Sequence, residues 1–334
     1  MKARFTSFPQ PATLSDYRRA SDELESRLAE LPGLVAIYRF GSVSAPGISD
    51  LDRVAVVEER MTGRIPSVWP RLAPATRRLA MHTPFLADPD TFRHRRWFAH
   101  LDKLELVCGE SIGAEDPPDP AGADVLLAVE GLVTNLLRRI RQTITGRIKV
   151  RAALCELASI RYGLQLAGIT HLEAPDTWEL TTEVVNLREA WFKGPDHLTG
   201  LSSILVRAPG ALRQALAAIE TTGGRPSGAV QLHGSWSNVQ LVASTSRPTR
   251  SVGAKLPLSG LVGHSRRLGE MRWRARARLV PVPAPVLTLL AGALADQQAF
   301  RARRFELVQR YHARMAATRK GYSTLGFAIT VPPE

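Results

Sequence analysis

Apolar positions in the first third of the chain change from helical to strand-like spacing. Residues 15–31 carry leucines at helical intervals, and Ser15 stands before them as a candidate N-terminal cap. Two apolar runs of strand length follow, at residues 34–40 and 51–57. This pattern predicts a helix followed by two consecutive strands.

The next segments are more basic and less regular. Residues 66–79 and 91–100 have helical character, whereas residues 79–87 and 104–108 are apolar and predict two further strands. A stretch rich in proline and aspartate then runs from residue 115 to 120. It is the best candidate for a domain boundary, because such residues favour turns and end regular structure.

Beyond this boundary the apolar period becomes helical. A strand-like segment at residues 228–282 and an Arg-rich helix at about residues 286–320 follow the helical part. We therefore predict an α/β N-terminal domain over residues 1–115 and a mainly α-helical C-terminal domain over residues 121–334 with some strands. The four helices predicted first in the second domain cover residues 125–140, 150–164, 177–191 and 197–219.

The link between the first two predicted strands carries candidate chemistry. Gly41 and Ser42 form a turn at the end of one strand, and Asp50 and Asp52 stand at the head of the next. Side chains alternate along a strand, so the two carboxylates are expected on one face. Such oxygen ligands suit Mg²⁺ shared with phosphates, and backbone amides beside a glycine suit the phosphates themselves.

This order of residues resembles the nucleotidyltransferase superfamily of the DNA polymerase beta type, over about residues 34–110. The Ser-Asp-Leu-Asp ending is most similar to its small bacterial members. The resemblance implies a mixed sheet with flanking helices, and Mg²⁺-dependent transfer of a nucleoside monophosphate from an NTP, with ATP favoured, to an unidentified acceptor. It also implies that Asp50 and Asp52 are catalytic and hold two Mg²⁺ ions, while Gly41 and Ser42 bind the nucleotide.

The sequence departs from the family pattern at two points. The family has a third carboxylate on a following strand, but residues 79–87 contain no acid, and His82 or Thr83 stands about where one is expected. Glu105 has a suitable local pattern, although a solvated strand charge is the favoured interpretation. Arg53 occupies a usually apolar position; it faces away from the aspartates or swings round to take a metal's place. A catalytically degenerate fold that binds nucleotide, nucleic acid or protein is therefore the alternative.

The charge balance bears on the choice of partner. Lys and Arg number 44 against 31 Asp and Glu, a net charge of +13 that favours polyanionic partners. Arginines alternate over residues 272–278 and recur over residues 301–314, where they track a nucleic-acid backbone or form a solvated surface. A third hypothesis is thus a basic nucleic-acid-binding protein in which the Gly-Ser and Asp-Leu-Asp elements are coincidental.

Cysteine usage and hydropathy bear on the compartment. Cys108 and Cys155 lie in apolar segments without metal-ligand spacing and are interpreted as buried thiols of a reducing compartment. The N-terminus has no apolar signal core, and the uncharged run at residues 279–295 is short and carries three prolines. We expect a cytoplasmic protein without a membrane partner.

Overall fold

The computed structural model describes residues 3–223 apart from 62–64, 102, 119 and 195–196. Beyond them it describes residues 231–234, 240–242, 253–255, 307, 322–323 and 329–330. The alternating arginines at 272–278 and the uncharged run at 279–295 lie outside the described residues. The Arg-rich helix predicted at about residues 286–320 also lies outside the described residues, apart from Leu307.

Seven α-helices lie in the described part of the chain. The first three accompany the N-terminal sheet, and the last four pack on one another, α4 against α5 and α7 and α6 against both α5 and α7. None of the described helices is both long and apolar enough to span a bilayer. Their bounds are α1 (Leu14–Ala29), α2 (Pro74–Leu79), α3 (Pro89–Arg93), α4 (Pro120–Thr145), α5 (Val150–Leu166), α6 (Pro175–Ala190) and α7 (His197–Gly223).

The strands form three groups among the described residues. Their bounds are β1 (Arg4–Thr6), β2 (Leu34–Phe40), β3 (Asp52–Val57), β4 (Phe85–Ala87), β5 (Glu105–Gly109), β6 (Arg147–Lys149), β7 (Gln231–Gly234), β8 (Gln240–Val242), β9 (Gly253–Lys255) and β10 (Ile329–Thr330). One sheet has the order β4-β3-β2-β5, another has the order β10-β7-β8-β9, and β1 pairs with β6.

The sheet of β2 to β5 is mixed. Strand β2 runs antiparallel to β3 and β5, and β3 runs parallel to β4. Helix α1 contacts β2, and α3 contacts β3. The described N-terminal region is therefore mixed α/β, as predicted, and the four helices predicted after it are confirmed.

The core is continuous through the described N-terminal and helical regions. Leu24 and Leu28 of α1 are almost fully buried, as are the four residues Val54 to Val57 of β3. The same hydrophobic cluster extends to Leu154 of α5 and Leu212 of α7. Apolar side chains at helical spacing in both regions thus pack into one core, which fixes the sheet against the helices.

Helix α1 begins one residue earlier than the pattern predicts, and its cap is a different residue. Thr13 is the N-terminal cap: its Oγ1 accepts a hydrogen bond from the Asp16 amide at 3.1 Å, and Asp16 Oδ2 accepts one from the Thr13 amide at 2.8 Å. This reciprocal pair is a capping box. The prediction of Ser15 as the cap is wrong, because Asp16 stands three residues after Thr13 and completes the box there.

Prolines shorten the elements predicted between β3 and β5. The helix predicted at residues 66–79 consists of a 3₁₀ turn at Trp69–Arg71 and the short helix α2, which starts at Pro74. The helix predicted at 91–100 starts earlier, at Pro89 of α3, and ends in a 3₁₀ turn at Arg95–Trp97.

The strand predicted at residues 79–87 was also too long. Leu79 ends α2, and only the last three residues, β4, pair with β3. Pro84 has no amide hydrogen to donate to a ladder, which is why the pairing starts only after it. Residues 80–84 instead form a connection that carries His82 to the edge of the sheet.

Candidate functional site

Three side chains meet where β3 and β4 begin. Asp52 is the first residue of β3, Asp50 lies two residues before the strand, and His82 lies three residues before β4. Parallel neighbouring strands start at the same edge of a sheet, so the three are brought together. His82 Nε2 lies 2.9 Å from Asp52 Oδ1 and 3.4 Å from Asp50 Oδ2.

The donor set of this cluster matches a metal site in composition. One ligand atom from each of Asp50, Asp52 and His82 lies within 4.8 Å of the others. Within the described part of the chain, no other group of three or more His, Cys, Asp or Glu side chains meets this criterion. Two carboxylates and an imidazole offer three ligand atoms to one divalent cation, and the role predicted for the aspartates stays a prediction.

The Gly-Ser turn lies beside the aspartates. Phe40, the last residue of β2, pairs with Asp52 across the sheet, which places the next residue, Gly41, at the same edge. Gly41 has a φ of +75°, and a Cβ at this position would lie 3.5 Å from Asp52 Oδ2. Ser42 follows and is exposed. The structure therefore brings the predicted phosphate turn and the predicted metal ligands to one edge of the sheet.

The connection between Gly41 and Asp50 is held from within the core. Ser49 is buried, and its Oγ accepts a hydrogen bond from the Ala45 amide at 3.0 Å. Tyr17 of α1 donates its hydroxyl hydrogen to the Ser49 carbonyl at 2.6 Å and accepts from the Gly47 amide at 3.2 Å. The backbone that presents Asp50 is thus fixed before any ligand binds.

Asp50 occupies a mostly buried position. Its side chain is 14% exposed, and its Oδ1 accepts a hydrogen bond from the Leu51 amide at 2.7 Å. Burial raises the pKa of Asp50 to about 6, the charge of Asp52 adds to this, and the charges of His82 and Arg151 oppose it. At neutral pH the carboxyl is ionised, but its charge is poorly solvated and gains from a nearby cation.

His82 supplies that cation. Its Nδ1 lies 2.8 Å from the Thr83 carbonyl, which can only accept, so this nitrogen carries a hydrogen. Burial opposes protonation of His82, but the hydrogen bond to Asp52 and the two carboxylate charges outweigh it and raise its pKa to about 9. Loss of the second hydrogen leaves the Nε2 lone pair facing both aspartates, which is the tautomer that a metal ligand requires.

Neighbouring charges account for Arg53 and Glu105, whereas no third carboxylate joins Asp50 and Asp52 among the described residues. Arg53 is 4% exposed, and its Nε donates to Glu25 Oε1 at 2.7 Å, away from both aspartate carboxylates. The idea that Arg53 swings round to pair with an aspartate is therefore wrong, because Glu25 of α1 holds it on the opposite face. Glu105 lies on β5 with its side chain 63% exposed and its Oε2 3.4 Å from Arg39 Nε, which agrees with a solvated strand charge.

Two cysteine predictions have different outcomes. Cys108 is exposed on β5, because β5 is an edge strand whose side chains lie mostly outside the core, so its prediction as a buried thiol is wrong. Cys155 of α5 is partly buried, and its Sγ donates to the Ile48 carbonyl at 3.2 Å. Burial raises the pKa of Cys155 to about 12, so the thiol stays protonated at neutral pH.

Sequence reasoning missed one member of the site's surroundings entirely. Arg151, in the first turn of α5, lies behind the cluster and binds the backbone on both sides of it. No local motif signals this residue, because its partners lie about 70 to 100 positions earlier in the chain. His82 is named by the sequence only as one of two residues standing where an acid is expected, and the sequence predicts no ligand role for it.

Comparison of the chain with models of protein families, with curated proteins and with solved structures finds no match. The likeness to nucleotidyltransferases therefore rests on the Gly-Ser turn, on the paired aspartates and on their meeting at one edge of the sheet.

Proposed function

We propose that this protein transfers a nucleoside monophosphate from an NTP, with ATP favoured, to an acceptor in a Mg²⁺-dependent reaction. The observation that supports the proposal is the convergence of Gly41, Asp50, Asp52 and His82 at the start of two parallel strands. A phosphate turn and a cation cluster at one edge are what binding of a metal-nucleotide complex requires.

Each part of the edge has a role in this proposal. The amides of Gly41 and Ser42 and the Ser42 hydroxyl donate hydrogen bonds to the terminal phosphates. Asp50 and Asp52 would hold the two Mg²⁺ ions of the proposal together with the phosphates, and His82 would offer a ligand to one of them. When bound, the cations neutralise phosphate charge and polarise the phosphorus under attack.

The proposed reaction is a displacement at the α-phosphorus. An acceptor oxygen forms a bond to phosphorus, the bond to the bridging oxygen breaks, pyrophosphate leaves, and the acceptor proton passes to water. Positioning and charge neutralisation carry the rate, so the fixed backbone around Ser49 and Asp50 serves the chemistry directly. The acceptor is a small molecule, an RNA end or a protein side chain.

A second function has a specific observation in its favour. With its pKa at about 9, His82 is an imidazolium at neutral pH and already neutralises part of the charge of Asp50 and Asp52. If that imidazolium stands permanently in the place of a metal, the fold is catalytically degenerate. It then binds nucleotide, nucleic acid or a protein partner without turning it over.

We also propose that the protein acts in the cytoplasm. Both cysteines are free thiols, which accords with a reducing compartment, and NTPs are abundant there.

Thermal unfolding with each of the four NTPs, with and without Mg²⁺, tests the main proposal. A ligand at about a hundred times its dissociation constant stabilises a fold by about 2.7 kcal/mol, which shifts the midpoint visibly. We expect a shift with one NTP that requires Mg²⁺ and that Asp50→Asn/Asp52→Asn loses. A shift that persists without Mg²⁺ supports the degenerate fold instead, and no shift with any nucleotide contradicts both nucleotide readings.

Two glycines test the phosphate half of the site in the same assay. Gly41→Ala forces a Cβ onto a backbone with a φ of +75°, and Gly168→Ala does the same at a φ of +66° where no atom lies within 4 Å. Each substitution should cost about 1–2 kcal/mol of stability. Only the Gly41 variant should also lose the NTP-dependent shift of the unfolding midpoint. An equal shift in both variants would show that the Gly41 turn does not bind the nucleotide.

A further inference from the structure

Arg151 places a guanidinium behind the cluster of Asp50, Asp52 and His82. The residue is 8% exposed and belongs to the first turn of α5. Its Nε donates to the Ile48 carbonyl at 2.9 Å, and one terminal nitrogen donates to the Leu79 carbonyl at 2.8 Å. The terminal nitrogens also donate to the carbonyls of Ser49 and Arg78.

These four carbonyls belong to two separate segments. Ile48 and Ser49 lead directly into Asp50, and Arg78 and Leu79 lie on the segment that continues to His82. A guanidinium is planar and presents five N–H donors in a fixed fork, so the segments cannot move apart without breaking charge-assisted hydrogen bonds. One side chain therefore joins the two halves of the cluster.

Two other side chains of the helical region contact the first segment, and one of them also contacts the second, since Cys155 Sγ lies 4.0 Å from Met81 Sδ. Cys155, one turn after Arg151 on α5, donates its thiol hydrogen to the Ile48 carbonyl, and Arg188 of α6 donates to Ser49 Oγ at 3.3 Å. Arg151 differs from Arg188 because its hydrogen bonds extend to Arg78 and Leu79, and from Cys155 because it binds the backbone of both segments through a charged, planar donor group.

We propose that Arg151 is a positioning residue that sets the separation of His82 from Asp50, and through it the affinity of the cluster for a divalent cation. The part concerning the cation rests on the proposed function, whereas the part concerning geometry stands without it. Partners that orient metal ligands from behind commonly contribute about 10-fold to 100-fold in metal affinity.

Three variants test this inference in the full chain. Arg151→Met removes the fork, Arg151→Lys keeps a charge without the fork, and Arg139→Met removes a buried arginine that pairs with Glu156 instead. Urea unfolding first establishes that each variant is folded. Mn²⁺ affinity is then measured by titration calorimetry, and the His82 ring N–H signals by NMR of ¹⁵N-histidine-labelled protein, assigned with His82→Gln.

We expect Arg151→Met to weaken Mn²⁺ binding by about tenfold and to shift or broaden the His82 ring signals, with Arg151→Lys intermediate and Arg139→Met unchanged in both. Wild-type signals and affinity in a folded Arg151→Met variant overturn the inference. If that variant does not fold, the same result in Arg151→Lys overturns it. If the wild type binds no Mn²⁺, the proposed cation site fails, and the His82 signals alone decide whether Arg151 positions the ring.

Discussion

His82 connects three different groups through one imidazole ring. Its Nε2 faces Asp50 and Asp52, and its Nδ1 faces the Thr83 carbonyl. Phe85 also contacts the ring edge-on, with the ring centroids 4.8 Å apart. The ring is thereby held in one orientation, and its charge is tied to the pair of carboxylates that it neutralises.

This charge makes the stability of the cation-free protein depend on pH. The pKa of His82 rises from 6.5 to about 9 on folding, so its contribution to the free energy of unfolding is complete below about pH 6.5 and is lost as pH rises through about 9. His82→Gln should lack this loss. Urea midpoints of both proteins in EDTA, from about pH 7 to about pH 10, measure the difference.

In the wild type Asp50 titrates below that range, but the charge of His82 opposes the rise of its pKa, so the two proteins are also compared in an Asp50→Asn background. The pKa of Asp50 is raised from 3.8 to about 6, so its own effect is a loss of stability as pH rises through about 6, which is complete before the titration of His82 begins. If the urea midpoints of wild type and His82→Gln change in parallel with pH, the imidazolium does not stabilise the charges of Asp50 and Asp52.

At the residue scale, the sequence predicts what is local and misses what is distant. Gly41, Ser42, Asp50 and Asp52 lie within twelve residues, so a link between two consecutive strands suffices to group them, although Asp50 lies before β3 and not within it. The cap is an exception, because Thr13 was missed in favour of Ser15 although its partner is local. An acid three residues after Thr13, Asp16, is the signal that identifies the capping box.

Helix α1 allows a direct test of its N-terminal cap, because the cap Thr13 and the exposed Ser15 lie two residues apart. Thr13→Ala removes the side-chain half of the capping box and should cost about 1 kcal/mol of stability. Ser15→Ala changes an exposed position inside the helix and should alter stability by only a few tenths of a kcal/mol, on the order of the propensity difference. Urea unfolding of both variants measures the contrast.

If Ser15 is the cap, Ser15→Ala should lose about 1 kcal/mol of stability and Thr13→Ala only a few tenths. A larger loss for Ser15→Ala than for Thr13→Ala would therefore contradict the assignment of the capping box.

Elements with strong periodicity were predicted well, and those set by tertiary pairing were not. Strand β2 has the predicted bounds, and α5 and α6 begin and end within two residues of theirs, because their apolar spacing reports burial directly. Strand β4 is short because only Phe85 to Ala87 find partners on β3, and pairing with a distant strand leaves no trace in the local pattern.

At the scale of the whole molecule, the sheet and the helical region share contacts across the boundary predicted at residues 115–120. Arg151 and Cys155 of α5 bind the Ile48 carbonyl, and strand β1 pairs with β6. The division into two domains stays a prediction, since these contacts say only that the two parts touch.

A fragment of residues 1–115 tests how far the N-terminal region stands alone. It lacks β6, α5 and the four carbonyl contacts of Arg151, so we expect a poorly dispersed ¹H–¹⁵N spectrum and no cooperative unfolding transition. The full chain is the control and should show both. A dispersed spectrum and a cooperative transition for the fragment would establish residues 1–115 as an independently folding domain.

The parallel pairing of β1 with β6 sets an order of events during synthesis. Thr6 donates to the Ile148 carbonyl across 142 positions of sequence, so β1 is made well before its partner strand. Ribosomes add about 5–20 residues per second, which leaves β1 without that partner for on the order of ten seconds. The edge that carries Asp50 and His82 is likewise completed only after α5 has been made, because Arg151 binds the segments that lead to both residues.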